Sequence, residues 1–149
     1  MAMTTTYRVG DEIPSLSKAI TQEGINFFEK SGGAEGPSQF TDEATAQGVL
    51  GTRGTVASGR MSVTFGAELL RRYFGPKYYN RGGMVEFRFL RPSRPGDTVT
   101  FTGKVTAIDR TVDGARVIIG VTVTNQKGDV TAVGSGSCIV PSLSLPPEE

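Results

Sequence analysis

Histidine is missing from all 149 residues of this sequence. It is the commonest general base in enzymes, the usual partner of Ser and Cys nucleophiles, and a ligand in most zinc sites. Its absence excludes the Ser-His and Cys-His pairs and disfavours catalysis by a metal, so we expect neither a metal ion nor a cofactor. Any proton transfer must use carboxylates, Tyr, Lys, Cys138, water or groups of the substrate, or catalysis must rely on positioning and dipoles.

Several other features are scarce. The single Cys138 cannot form an internal disulfide, and no apolar run is long enough to cross a bilayer. Sixteen basic and fifteen acidic residues leave a net charge of +1 without a dense Lys/Arg block. The first residues, Met1 to Thr4, show no signal-peptide pattern. We therefore expect a cytoplasmic protein that binds neither nucleic acid nor membranes.

Length and composition predict one domain. With 37% hydrophobic residues, the chain can build one core and has no room for a second. We expect residues 1–149 to form this single domain. The polar residues 1–6 and the Pro/Ser-rich residues 141–149 are expected to be flexible.

The stretch 57–75 predicts one central helix. At 100° per residue, its large apolar side chains fill a broad arc and its charged side chains a narrow stripe. The arc consists of Met61, Val63, Phe65, Ala67, Leu69, Leu70, Tyr73 and Phe74. Gly75 and Pro76 are typical of a helix end, and Arg71 and Arg72 suit the negative end of the helix dipole. So wide an arc predicts a helix wrapped by other structure.

The segments around this helix predict shorter elements. Residues 7–14 indicate a short strand and turn, and Thr21 is expected to begin a helix. A Gly/Pro-rich loop follows at 33–40, and Asp42 is then expected to cap a short helix. Residues 76–83 are expected to be a connector.

From residue 84 onward, apolar and polar side chains alternate with a period of two, which predicts strands with one buried face. The apolar members are Val85, Phe87 and Phe89; Val99, Phe101 and Val105; and Val117, Ile119, Val121 and Val123. A fourth strand is predicted over 129–140, where Gly134 and Gly136 indicate a strong bend or a close backbone contact. Hairpin turns are expected at 113–114 and 125–128.

The strand lengths predict the shape of the sheet. Residues 99–111 would extend roughly 40 Å at about 3.3 Å per residue, whereas a helix of about 16 residues is only about 24 Å long. The sheet must therefore curl around the helix, which buries the helix arc and the inner face of the sheet together. The predicted fold class is α+β, a curled antiparallel sheet wrapped around a central helix.

Two segments resemble the MaoC-like dehydratase family, which has the hotdog fold: VASGRMSVTFGAELLRRYFG and GGMVEFRFLRPSRPGDTVTFTGKVTAID. The similarity spans about residues 9–140. The second segment is the more specific, with Arg91-Pro92 at the end of a strand and a Pro95-Gly96-Asp97 turn into a long Thr/Val strand. The resemblance implies a single hotdog domain, a dimer, and a ligand that is an acyl thioester of coenzyme A or of an acyl carrier protein.

The catalytic signature of that family, Ser-Gly-Asp-x-Asn-Pro-x-His-x-Asp, is not intact in this sequence. The corresponding stretch, 31–42, puts Phe40 at the position of the histidine, and Glu35 or Gly33 near that of the aspartate. Ser58 replaces the histidine of the family's Ala-His-Gly-Met segment.

The start of the central helix is the candidate site. Backbone amides there have no acceptor within the helix and lie at the positive end of its dipole, so a thioester carbonyl placed there is polarised toward an enolate. Gly59 permits close approach, or else it only lets the helix start pack against the sheet. We predict Glu35 and Gly59 as the catalytic residues, with Glu35 as a substitute acid or base, or else a solvated loop carboxylate. Substrate contacts are predicted for Gln39, Phe40, Ser58 and Arg60.

Three functions agree with these residues. The first is a MaoC-like hydratase or dehydratase of an acyl-thioester or polyketide-type substrate, which is the majority activity of the family. The second is a pocket that catalyses a cyclisation, pericyclic step or isomerisation in natural-product biosynthesis by positioning alone. The third is a non-catalytic subunit of a heteromeric hydratase. A homodimer is the expected assembly, and a heterodimer with a homologue is the alternative.

Overall fold

The structure is a computed structural model, and it describes residues 6–141. In chain order the elements of this range are β1 (Glu12–Ala19), α1 (Gln22–Ser31), α2 (Glu43–Leu50), α3 (Gly59–Phe74), α4 (Pro76–Gly82), β2 (Met84–Phe89), β3 (Thr98–Thr111), β4 (Gly114–Thr124) and β5 (Val130–Pro141). The segments predicted to be flexible lie outside the described residues, except for residues 6 and 141.

The strands form one antiparallel sheet in the order β1-β3-β4-β5-β2. β3, β4 and β5 follow one another as hairpins, as the turns at 113–114 and 125–128 predict. The register shifts within three of the four strand pairs, and such irregularities bend strands and increase their twist. The predicted fold class, a curled antiparallel sheet around a helix, is confirmed.

The core lies between α3 and the inner face of the sheet. Leu69, Leu70 and Phe74 of α3 are buried, and so are the alternating apolar residues of β3 and β4. Close contact requires glycine on β5: a Cβ added at Gly136 would lie 2.1 Å from Leu70 Cδ1. The predicted close contact at Gly136 is therefore confirmed, and it sets the distance between the C-terminal half of α3 and β5.

The central helix keeps its predicted ends. Ser58 precedes it in an extended conformation, and Gly75 ends it with a φ of 86° and an amide hydrogen bond to the Arg71 carbonyl at 2.9 Å. Arg71 and Arg72 are exposed, as the polar stripe predicts. None of the helices in the described range is long and apolar enough to cross a membrane.

Two local predictions are wrong. The first strand is Glu12–Ala19 rather than 7–14, because Gly10 makes a turn with a φ of 96° and a register shift between Ile13 and Leu16 interrupts the period-two pattern. The expected connector after Gly75 is instead the short helix α4, which Pro76 starts at its first position, where proline lacks only an amide that the helix does not use.

Candidate functional site

The start of α3 is held against the loop that follows β2. The Ala57 amide donates to the Ser93 carbonyl at 2.8 Å, and the Val56 amide donates to the Gln39 carbonyl at 3.3 Å. The Met61 amide bonds back to the Ser58 carbonyl at 3.1 Å, which leaves the earlier amides of the helix pointing out of its end. These amides supply partial positive charge at a fixed position.

Ser58 has an unusual environment for a residue at a helix start. Serine at this position normally accepts a hydrogen bond from an amide of the first turn. Here the Ser58 side chain makes no such bond, although the residue is only 4% exposed. Its Oγ is buried without a hydrogen-bond partner in the range 6–141. Ser58 therefore brings a hydroxyl without a hydrogen-bond partner in this range to the helix end that borders the larger of the two cavities described next.

Two cavities meet at Gly59. The first, of about 340 Å³, lies between the helix start and the loop after β2 and is lined by Ala57, Gly59, Ser62, Phe89, Leu90, Arg91, Pro92, Ser93, Thr131 and Ala132. The second, of about 620 Å³, is lined by Phe40, Ser58, Gly59, Arg60, Val63, Thr64 and Phe89. Gly59 and Phe89 border both. A ligand bound across these cavities must pass the first amides of α3.

Gly59 also touches the sheet. A Cβ added there would lie 2.9 Å from Phe89 Cε2, which is closer than ordinary contact. Phe89 is 47% exposed, so its ring has room to move. Both predicted roles of Gly59, close approach of a ligand and packing against the sheet, agree with this geometry.

Most of the predicted site residues come together here. Phe40, Ser58, Gly59 and Arg60 border the larger cavity. Gln39 joins the site through its carbonyl, and its half-buried side chain borders neither cavity. Glu35 is exposed in the loop after α1 and borders neither cavity, which agrees with the alternative of a solvated loop carboxylate. Its predicted role as acid or base remains a prediction.

A buried carboxylate that the sequence reading missed lies next to this site. Glu29, in the last turn of α1, is 2% exposed, and its Oε2 accepts a hydrogen bond from Arg60 Nη2 at 2.8 Å. The other oxygen, Oε1, is buried and has no hydrogen-bond partner in the described part of the chain. The signal was present: Glu29 follows the fully buried Ile25 by four residues and therefore shares the inner face of α1.

Other titratable groups near the core are unsuited to proton transfer. Burial raises the pKa of the Cys138 thiol, which keeps it protonated at neutral pH. The hydroxyl of Thr45 donates to Asp42 Oδ2 at 2.7 Å and its amide at 2.9 Å, and these bonds lower the pKa of Asp42. A hydrogen bond from Lys18 lowers the pKa of Glu68, which also accepts from Arg72. These carboxylates already have structural partners.

No group of three or more His, Cys, Asp or Glu side chains within residues 6–141 is arranged to hold a metal ion.

The fold and site define a hotdog domain with a candidate ligand site at the start of its central helix. The chain matches no protein-family model and no curated protein. Solved structures do match it over most of its length. A MaoC-like dehydratase from Rhodospirillum rubrum is 26% identical, with a TM-score of 0.72, and covers 91% of this chain and 93% of its own.

Two further structures are similar to it at lower identity. The (R)-hydratase from A. caviae involved in PHA biosynthesis is 21% identical, with a TM-score of 0.72, over 91% of this chain and 98% of that one. The HadBC (3R-hydroxyacyl-ACP dehydratase) complex from Mycobacterium tuberculosis is 16% identical, with a TM-score of 0.73, over 91% of this chain and 99% of that one. The structural neighbours are thus MaoC-like dehydratases and R-hydratases, which confirms the resemblance seen in the sequence at the level of the hotdog fold.

Proposed function

We propose that this protein is a hydratase or dehydratase of acyl thioesters that binds the substrate carbonyl at the first amides of α3. The hydratases and dehydratases among its structural neighbours support this activity at family level. The observation that carries the proposal is the meeting of two cavities at Gly59, beside the buried, unpartnered hydroxyl of Ser58. This combination provides space for a chain on either side of a polar anchoring point.

The chemistry follows from that anchoring point. Hydration of an enoyl thioester adds a hydroxyl group at Cβ and a proton at Cα, and negative charge develops on the thioester oxygen between these events. Amide groups fixed at the end of a helix stabilise this charge without having to reorganise. In the proposed complex, the oxygen lies within hydrogen-bond reach of the Gly59 amide, and the Ser58 hydroxyl is a second donor.

The two cavities support an extended substrate. The larger cavity has an apolar wall of Phe40, Val63 and Phe89, which suits an acyl chain. The smaller one carries Arg91 and Ser93, which suit the polar arm of coenzyme A or of an acyl carrier protein. The class of acyl chain and the carrier stay open in this proposal.

We propose a homodimer as the working assembly. β2 is an edge strand, and its ends carry Met84 and Phe89, which are 61% and 47% exposed. Unpaired strand edges with exposed apolar side chains are commonly covered by a second chain. One similar structure is described as a complex, HadBC, so a heterodimer with a homologue remains the alternative. A cytoplasmic location also remains a prediction.

A second candidate function has its own observation. The exposure of Glu35, in a chain without histidine, favours a pocket that works by positioning alone, as in an isomerisation or a cyclisation of a polyketide-like substrate. Such a protein binds thioesters or related substrates at α3 but does not hydrate enoyl thioesters.

The test measures hydration of enoyl-CoA substrates by the wild type and by Glu35→Gln across pH. The readout is the loss of the enoyl absorbance. The proposed function predicts turnover by the wild type. If Glu35 is the acid or base, Glu35→Gln is slower by about 10²–10⁴-fold. Equal rates show that Glu35 is a bystander, and the absence of wild-type turnover with short and long enoyl chains rejects the hydro-lyase activity.

A further inference from the structure

We infer that Glu29 is the group that carries the proton to and from Cα of the bound thioester. The inference rests on the proposed function, from which it takes the position of the thioester carbonyl at the start of α3. It assigns the proton transfer to a buried helix residue rather than to the loop that resembles the family's catalytic stretch.

The burial of Glu29 is the first observation. A charged side chain that is 2% exposed must be compensated, and Arg60 compensates only Oε2, at 2.8 Å. Oε1 has no hydrogen-bond partner in the described structure. Native proteins rarely leave a buried carboxylate oxygen unpaired without a reason. We take this oxygen as the one that receives the proton.

The second observation is the link from Glu29, which itself borders neither cavity, to the site through its ion pair with Arg60. Arg60 is the second residue of α3, directly after Gly59, and it borders the larger cavity. A Cβ added at Gly32 would lie 4.0 Å from Arg60 Nη1, so the end of α1 packs beside the guanidinium group. The Arg60 side chain is 64% exposed, so it reaches from the cavity side to the buried Glu29 on α1.

The third observation is that the buried side-chain oxygens without a partner, within residues 6–141, are Ser58 Oγ and Glu29 Oε1. Ser58 directly precedes α3, and Glu29 forms an ion pair with Arg60, the second residue of α3. Both oxygens therefore have unused hydrogen-bonding capacity that a polar ligand group at the start of α3 could use. A thioester with a reacting water molecule supplies both partners.

In the proposed step, the single carboxylate of Glu29 performs both proton transfers. The Glu29 carboxylate takes a proton from water as the hydroxyl adds to Cβ, and the electron pair of the double bond moves to the thioester oxygen at the α3 amides. Glu29 then returns the proton to Cα, and the carbonyl reforms. In a saturated acyl thioester, the same carboxylate removes a proton from Cα and gives one back. Arg60 is the positioning residue, since it holds the carboxylate by Oε2.

The experiment measures this exchange directly. Butyryl-CoA is incubated with the protein in deuterium oxide, and deuterium at Cα is followed by mass spectrometry, with crotonyl-CoA hydration measured in parallel. The wild type is expected to exchange Cα protons. Glu29→Gln keeps the size of the side chain and an oxygen for Arg60 but cannot accept the proton, so exchange is expected to fall by about 10²–10⁴-fold.

Matched variants separate chemistry from structure. Arg60→Gln breaks the same ion pair and leaves the carboxylate, so a merely structural pair predicts equal losses in Glu29→Gln and Arg60→Gln. The inference predicts a much larger loss of exchange in Glu29→Gln than in Arg60→Gln, measured on samples of each variant that circular dichroism shows to be folded. If Glu29→Gln does not fold, the double variant Glu29→Gln/Arg60→Gln is measured instead. Neither partner of the ion pair remains in it, and it must also lose exchange.

Each remaining outcome has a defined meaning. If the wild type hydrates crotonyl-CoA and Glu29→Gln does so equally well, the inference is wrong and the proposed function stands. If Glu29-dependent exchange occurs without hydration, the inference stands and the hydro-lyase activity is wrong. If the wild type shows neither exchange nor hydration, both are wrong. Equal losses in Glu29→Gln and Arg60→Gln also overturn the inference.

Discussion

Replacement of Gly59 by valine tests whether the start of α3 serves binding or only packing. The new Cβ would lie 2.9 Å from Phe89 Cε2 and 3.2 Å from Cζ, whereas carbon atoms prefer about 3.5–4.0 Å. The Phe89 ring must therefore move. The added branched side chain also fills the point where the two cavities meet.

The expected cost in stability is small. Full burial of a Phe side chain is worth about 1.5–3 kcal/mol, and Phe89 is already 47% exposed, so displacement of its ring costs about 1 kcal/mol. Valine recovers a few tenths of a kcal/mol, because glycine has a lower helix propensity. A net loss below about 1 kcal/mol lowers the thermal midpoint of a chain of this size by about 2–4 °C.

The expected effect on binding is larger. If a thioester carbonyl must approach the Gly59 amide, Gly59→Val weakens binding of butyryl-CoA by more than about tenfold, equivalent to about 1.4 kcal/mol. The assay is titration calorimetry, with thermal unfolding of the same samples.

Gly66→Ala is the matched control in the same helix. Its Cβ would lie 2.4 Å from Phe87 Cε2, away from both cavities, and such overpacking costs about 1–3 kcal/mol. This variant should lose stability and keep binding. Wild-type binding by Gly59→Val, or a loss of binding no larger than its loss of stability, would refute the role of Gly59 at the site and support the packing role.

Three further predictions concern stability and assembly. Gly136→Ala is expected to destabilise the fold by about 1–3 kcal/mol in urea unfolding, because its Cβ would lie 2.1 Å from Leu70 Cδ1; an unchanged midpoint contradicts the close contact. Burial raises the pKa of Tyr7 from 10.0 to about 12. The stability that the protonated Tyr7 hydroxyl contributes to the folded state is therefore complete below pH 10 and is lost as pH rises toward 12. Tyr7→Phe should therefore lose less stability than the wild type over that interval, and identical profiles would show that Tyr7 is not responsible. Light scattering should give a dimer, since Met84 and Phe89 leave an exposed apolar edge, whereas a mass near 15.8 kDa at micromolar concentration excludes it.

The sequence predicts the main elements of the fold because their periodicities are strong. The wide apolar arc of α3 requires a surrounding sheet, and the Val-rich alternation of β4 leaves one buried face. Glycine at 75 and 136 carries specific information, since one ends the helix and the other admits Leu70. The periodicities and the helix end at Gly75 depend on local geometry, whereas for Gly136 the sequence indicates only that a bend or a close contact occurs, not that Leu70 makes it.

The parts that sequence reasoning misses depend on tertiary contacts. β1 is displaced because its pairing with β3 contains a register shift, which local alternation does not reveal. Glu35 was selected by its place in a loop, but the loop exposes it. The ion pair of Glu29 with Arg60 joins residues 31 positions apart on two helices, so no local pattern reveals it. The spacing of four residues between Glu29 and the buried Ile25 is the local signal that places Glu29 on the inner face of α1.

The most direct test of the account is infrared spectroscopy of butyryl-CoA labelled with ¹³C at the thioester carbonyl. Hydrogen bonds from the α3 amides withdraw electron density from this carbonyl, so its stretching band should move to lower frequency on binding to the wild type. We expect this shift in the wild type and in Gly66→Ala, and we expect Gly59→Val to lose it. A bound thioester whose carbonyl band stays at the frequency seen in water would contradict the placement of the carbonyl at the start of α3.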